Sequence, residues 1–176
     1  MTIINYWKKY GKRFFLIINE KYNILTKFVI EHFLSDIKDS IYIYNYNEQD
    51  GTAYTIDYIY KNKLKDYNIK NLLITWCDIL PKNEINLHYF KNVSKKENNL
   101  FIFTYGNNCR FLLKNNKIEK NENGNIIGIY YIENLNYNLN NVQKNLDIVE
   151  YFNFFKNKYN YELKDLLDFG DERKYE

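Results

Sequence analysis

One stretch constrains the fold more than any other: Gly51 to Pro81, GTAYTIDYIYKNKLKDYNIKNLLITWCDILP. A glycine turn opens a run with Ala53, Ile56, Ile59, Tyr60 and Leu64 at helical spacing, and an apolar run from Leu72 to Cys77 follows it and ends on Asp78. Helix followed by buried strand is the repeating unit of an α/β sheet, in which chemically active side chains sit just beyond the carboxyl ends of strands. Asp78 holds such a position, where a carboxylate suits a magnesium ion. Gly51 and Thr52 precede the helix, so their amides point out of its N-terminus, where a phosphate or a base edge can be held. Singly, an Asp after a strand is more often a cap, and a Gly-Thr before a helix is usually only a turn. Their order along one unit is what marks them.

The rest of the chain supplies the frame. Residues 4 to 10 read as the end of a helix with Gly11 as its cap, and RFFLIIN at 13 to 19 as a strand buried on both faces. Leu25, Phe28, Val29 and Phe33 make 22 to 34 a helix, and SIYIYNY at 40 to 46 alternates as a more exposed strand. With a helix at 52 to 66 and a strand at 72 to 77, this predicts two successive right-handed βαβ units with RFFLIIN, SIYIYNY and LLITWC parallel. After Pro81 the texture changes to a short helix near 84 to 90, then β-like runs at 100 to 104, 109 to 113, 117 to 120 and 126 to 132 between Asn-rich turns. Apolar spacing at Leu146, Val149, Phe152 and Phe155 predicts a helix over 142 to 158, and Asp168, Gly170 and Asp171 sit at a last turn. The expected fold is α/β: a Rossmann-like parallel or mixed sheet flanked by helices, with a small antiparallel extension in the second half, in one domain over 1 to 176.

A chain of 176 residues can bury one sizeable core. Its 25 basic and 22 acidic residues are interleaved, which disfavours a nucleic-acid partner. The heavy use of Ile, Asn, Lys and Tyr reads as the codon bias of an AT-rich genome. Cys77, expected in a buried strand, and Cys109 fit neither a disulfide framework nor a CxxC metal site, so the expected compartment is the cytoplasm. The apolar run Phe14 to Ile18 is too short for a signal peptide, and no segment is long enough to span a membrane. His32 and His88 have no partner at ligand spacing and read as packing or surface residues.

Four stretches, in order, resemble the sugar-1-phosphate nucleotidylyltransferases and their relatives among the capsule and choline-type cytidylyltransferases. GTAYTI at 51 to 56 resembles a base-contacting Gly-Thr-Ala turn, and LITWCDI at 73 to 79 the strand whose terminal Asp binds magnesium. IEKN at 118 to 121 with GIYY at 128 to 131 is similar to the Glu-Lys-Pro sugar-phosphate element and the strand after it. LLDFGD at 166 to 171 resembles the Asp-x-Gly turn that supplies a second metal carboxylate.

The resemblance implies that an NTP is joined to a phosphorylated sugar or similar small molecule with release of pyrophosphate. It implies that Asp78 and Asp168 hold Mg2+, that Gly51 and Thr52 touch the base, and that Glu119 and the catalytic Lys120 meet the sugar and its phosphate. Asn121 stands where that family has proline. A larger departure is the family's opening G-x-G-x-R loop, which wraps the triphosphate and for which no two of the six glycines are spaced. The expectation is therefore a unit incomplete at its N-terminal side, active only if another polypeptide or a frame-shifted neighbour supplies the missing part, with a complementing N-terminal polypeptide or a homo-oligomer as the expected partner. The alternative is a sugar-nucleotide-binding or interaction module without turnover.

Overall fold

A long antiparallel hairpin forms the centre of the protein. The computed structural model describes residues 3–46, 51–90, 98–136 and 146–168. Strands β5 (Asn99–Lys114) and β6 (Lys117–Glu133) pair from Asn99 opposite Glu133 to Lys114 opposite Lys117. Asn115 and Asn116 turn the hairpin with φ of 49° and 62°, left-handed values that asparagine tolerates better than most residues. β3 (Leu72–Thr75) adds antiparallel to β6, and β7 (Asn157–Glu162) adds parallel to β5, giving the order β3-β6-β5-β7.

Apolar residues run without a break through LFIF and IIGIYYI because both faces of this sheet are covered. Leu100, Ile102, Ile126, Tyr130 and Ile132 pack toward α3 (Thr52–Asn62) and α5 (Ile148–Asn153), together with Ala53, Tyr60, Val149 and Phe152. The alternate residues Phe101, Phe103, Ile127, Ile129 and Tyr131 form a second core with Trp7 of α1 (Ile3–Trp7) and Phe90 of α4 (Leu87–Phe90). The two-residue period of a strand sorts one sequence into two cores.

The first half holds the expected crossover. β1 (Phe14–Asn19), α2 (Asn23–Phe33) and β2 (Ile41–Tyr46) form a parallel βαβ unit, with Phe14 opposite Ile41 and Asn19 opposite Tyr46. α3 follows, closed by a 3-10 turn at Leu64–Tyr67.

Four expectations need correction. LLITWC does not join RFFLIIN and SIYIYNY: β3 ends at Thr75 and lies antiparallel to β6 in a different sheet. The second βαβ unit is therefore not closed by a ladder. Cys77 is exposed in a turn and not buried in a strand. The β runs of the second half are the middle of the main sheet and not an extension to it. Finally, α5 stops at Asn153, where the Asn153 side chain accepts from the Ile118 amide (2.8 Å) and donates to the Ile118 carbonyl (3.0 Å), and β7 begins within the expected helix. Lys158 secures that corner by donating to the carbonyls of Phe155 (2.5 Å) and Asn116 (3.0 Å), and burial lowers its pKa.

Candidate functional site

The site is built where β3 runs out. Trp76 follows β3, its amide donates to the Gly128 carbonyl (3.4 Å), and its indole lies against Gly128 itself. Gly128 has φ +76, and a Cβ there would stand 2.0 Å from Trp76 Cδ1, so only glycine lets the ring approach the strand. Cys77 and Asp78 then turn the chain into β4 (Ile79–Pro81).

β4 pairs antiparallel with β8 (Leu166–Asp168), with Ile79 opposite Asp168 and Pro81 opposite Leu166. Asp168 and Asp78, distant in sequence, thus become backbone neighbours at one end of this two-stranded ladder. Asp78 is half-buried, and its Oδ1 is inaccessible and makes no hydrogen bond among the described residues. An orphaned carboxylate oxygen is costly unless a cation or donor meets it. A hard divalent ion fits that donor, and magnesium commonly uses one or two carboxylates with the remaining positions given to water and substrate phosphate. Among the described residues no three His, Cys, Asp or Glu gather as a fuller metal site. The neighbouring Cys77 thiol is pushed up by desolvation and then by the Asp78 charge.

Beside this turn lies a cleft of about 680 Å³, within the usual range for small-molecule sites. Ile79, Leu166 and Leu167 of the β4-β8 ladder form one wall, so Asp78 and Asp168 each adjoin a wall residue along the backbone. Trp76 and Gly128 lie within it, and the start of α5 closes another side with Ile148 and Val149. The far wall is the irregular middle of the hairpin, where the register shifts between Thr104 and Cys109 and again between Cys109 and Phe111. Lys82 and Arg110 bring positive charge, and Lys82 is paired with Asp165 at 3.1 Å.

The other expected residues lie around the cleft, not on its wall. Gly51 caps α3 with φ 78°, its carbonyl accepts from the Thr55 amide (3.2 Å) and hydroxyl (3.0 Å), and Thr52 begins the helix. Ala53 of that helix packs in the same core as Ile148 and Val149 of the cleft. Glu119 and Lys120 are exposed on β6 opposite Leu112 and Phe111, and Glu119 is 3.8 Å from Lys117. Phe111 lines the cleft and its partner Lys120 does not. Gly170 and Asp171 fall outside the described residues. His32 is exposed and stacked on Phe28 (4.1 Å), and His88 is exposed.

Sequence reasoning missed Trp76, Lys82 and Arg110. For Arg110 a signal existed: only Arg13, Arg110 and Arg173 are arginines among the 25 basic residues. In so lysine-biased a chain, an arginine is a choice of chemistry more than of charge.

No family model matches the chain, and no curated protein does. Solved structures do. A protein described as a glucose-1-phosphate thymidylyltransferase from Bacillus anthracis, in complex with sucrose, superposes with a TM-score of 0.67 at 11% identity, covering 92% of this chain and 72% of that one. HddC from Yersinia pseudotuberculosis superposes with a TM-score of 0.65 at 20% identity, covering 98% of this chain and 80% of that one, and its complex with GMP-PN gives 0.64. Identities this low speak to architecture alone: this chain shares the mixed α/β fold of these structures.

Proposed function

We propose that this protein is a nucleotidylyltransferase that joins an NTP to a sugar phosphate or a similar phosphorylated small molecule. A phosphate oxygen of the acceptor attacks the α-phosphorus, the bond from that phosphorus to the bridging oxygen breaks, and pyrophosphate leaves. The observation that supports the reading is the β4-β8 ladder, which pairs the backbone of Asp168 with that of Ile79, the residue after Asp78 with its orphaned Oδ1, next to residues that line the cleft. Asp78 and Asp168 are the residues that would hold Mg2+, which when bound neutralises triphosphate charge. The cleft orients the acceptor, and its apolar walls limit water at the reacting phosphates. Gly51 and Thr52 remain the proposed base contacts, and Glu119 and Lys120 the proposed contacts to the sugar and its phosphate.

A second reading, a nucleotide-sugar-binding module without turnover, is favoured by one observation. Among the described residues β1 pairs only with β2, and β3 only with β6. Both strands send apolar residues, Phe14 and Leu73, to the same core while keeping an unpaired edge, and a complementing strand is the partner such edges accept. The proposed setting is the cytoplasm; no helix among the described residues is long and apolar enough to cross a membrane.

The test is pyrophosphate release with magnesium, each of CTP, UTP, dTTP and GTP, and a panel of phosphorylated sugars and alcohols. It is run with the chain alone and with an added peptide carrying a strand and glycine loop from a fold relative. Release that depends on Asp78 supports the enzyme. Nucleotide binding without release under either condition supports the module.

A further inference from the structure

We propose that Arg110 is a phosphate-binding residue of the cleft, taking the phosphomonoester of the small-molecule substrate. The inference rests on the reading above for the identity of that substrate, and on geometry for the residue. Arg110 lines the cleft, whereas Lys120 does not. It sits at the register shift between Cys109 and Phe111, and strand irregularities of this kind re-aim a side chain that a regular ladder would fix elsewhere. The other cation on the wall, Lys82, is held by Asp165 at 3.1 Å, while Arg110 has no carboxylate within ion-pair distance among the described residues.

The residue type points the same way. A guanidinium presents a planar fork of donors that grips two phosphate oxygens at once, which an ammonium cannot do. Of the two other arginines, Arg13 spends its fork on Tyr67, lying 5.6 Å from the ring centroid and donating to the Tyr67 carbonyl (3.4 Å). Arg173 lies outside the described residues. Arg110 is the arginine the cleft holds ready for an anion, with the apolar wall of Ile126, Ile127 and Val149 left for the uncharged body of the ligand.

The experiment reads anion binding and not catalysis. The full chain is treated with phenylglyoxal, and the rates at Arg110 and Arg13 are followed by peptide mass spectrometry with no addition, with inorganic phosphate, with glucose 1-phosphate and with glucose. Phosphate and glucose 1-phosphate are expected to slow labelling of Arg110 by about tenfold at saturation and to leave Arg13 within about twofold, while glucose changes neither. In parallel, 31P line broadening of inorganic phosphate is compared for the wild type, Arg110→Ala, Arg110→Lys and Lys27→Ala, a change to an exposed lysine of α2 that does not line the cleft. Affinity should fall roughly tenfold or more in Arg110→Ala, less in Arg110→Lys, and by under about twofold in Lys27→Ala. Unchanged Arg13 labelling and circular dichroism show that each variant is folded. Equal labelling of Arg110 with and without phosphate overturns the proposal, as does a loss in Lys27→Ala that matches Arg110→Ala. A chain that binds phosphate at Arg110 and releases no pyrophosphate upholds the inference while sinking the enzymatic reading.

Discussion

Replacing Gly128 with alanine should cost about 3–4 kcal/mol of stability, most of it through one ring. Alanine at φ +76 carries roughly 1–2 kcal/mol of backbone strain. The new Cβ would stand 2.0 Å from Cδ1 and 2.4 Å from Nε1 of Trp76, and a rigid indole cannot yield except by leaving. Trp76 is 40% exposed, so roughly 150 Å² of it is buried, worth about 3–4 kcal/mol; losing half of that contact costs about 2. For a chain of this length the total lowers Tm by about 10 °C. Gly106→Ala is the control, because Gly106 has φ +60 and nothing within 4 Å of a Cβ, so it should show the strain alone, about 1–2 kcal/mol. Thermal unfolding of Gly128→Ala, Trp76→Ala and the double variant completes the cycle. The double variant should lose at least about 1 kcal/mol less than the sum of the singles. Trp fluorescence reads the displacement directly, since Trp7 is only 5% exposed and should not shift. If Gly128→Ala is as mild as Gly106→Ala, or if the two sites are additive, Trp76 is not seated on Gly128 and the floor of the cleft is wrongly described.

Asp78→Asn should lower pyrophosphate release by about a hundredfold or more while leaving the unfolding midpoint unchanged or slightly raised, because a buried charge is removed; full activity in this variant would remove the metal assignment. Tyr60→Phe should cost about 1–3 kcal/mol in urea unfolding, since the Tyr60 hydroxyl has one proton to donate between two acceptors, Asn98 Oδ1 (2.8 Å) and the Asn136 carbonyl (2.6 Å); a change under about 0.5 kcal/mol would contradict that bonding. Stability should fall steeply between about pH 10 and 12. Burial, with Glu133 adding, pushes the Tyr131 phenol up to about 12, and burial also raises Tyr130 and Tyr151. These phenols ionise near their ordinary value only in the unfolded chain, which sheds protons first and is favoured as pH rises past 10. Absorbance at 295 nm should show late phenol ionisation coincident with unfolding, and early ionisation of all tyrosines in the folded chain would refute it.

What the sequence determined by itself was whatever depends on a chain's own period. LFIF and IIGIYYI, apolar runs between Asn-rich turns, read as strands, though as an extension and not as the middle of the main sheet; Leu25, Phe28 and Val29 read as one side of a helix. The crossover from β1 through α2 to β2 was legible for the same reason. A period fixes which face a residue takes and says nothing about which strand lies alongside. That is why β3 was expected beside β1 and β2 and is found against β6, and why β7, whose alternating Asn, Lys and Tyr carry little apolar signal, was not read as a strand: its place follows from backbone pairing to β5 and from Tyr159 and Tyr161 meeting Phe101 and Phe103 at 5.0 Å. The cleft belongs wholly to the tertiary structure. Trp76 needs Gly128 beneath it, Asp78 acquires Asp168 as a neighbour only through the β4-β8 ladder, and Arg110 reaches the wall only because the hairpin breaks register there. Each is a contact between residues far apart in the chain, and the free energy that selects such contacts comes from burying both partners together, which no local stretch of sequence can express.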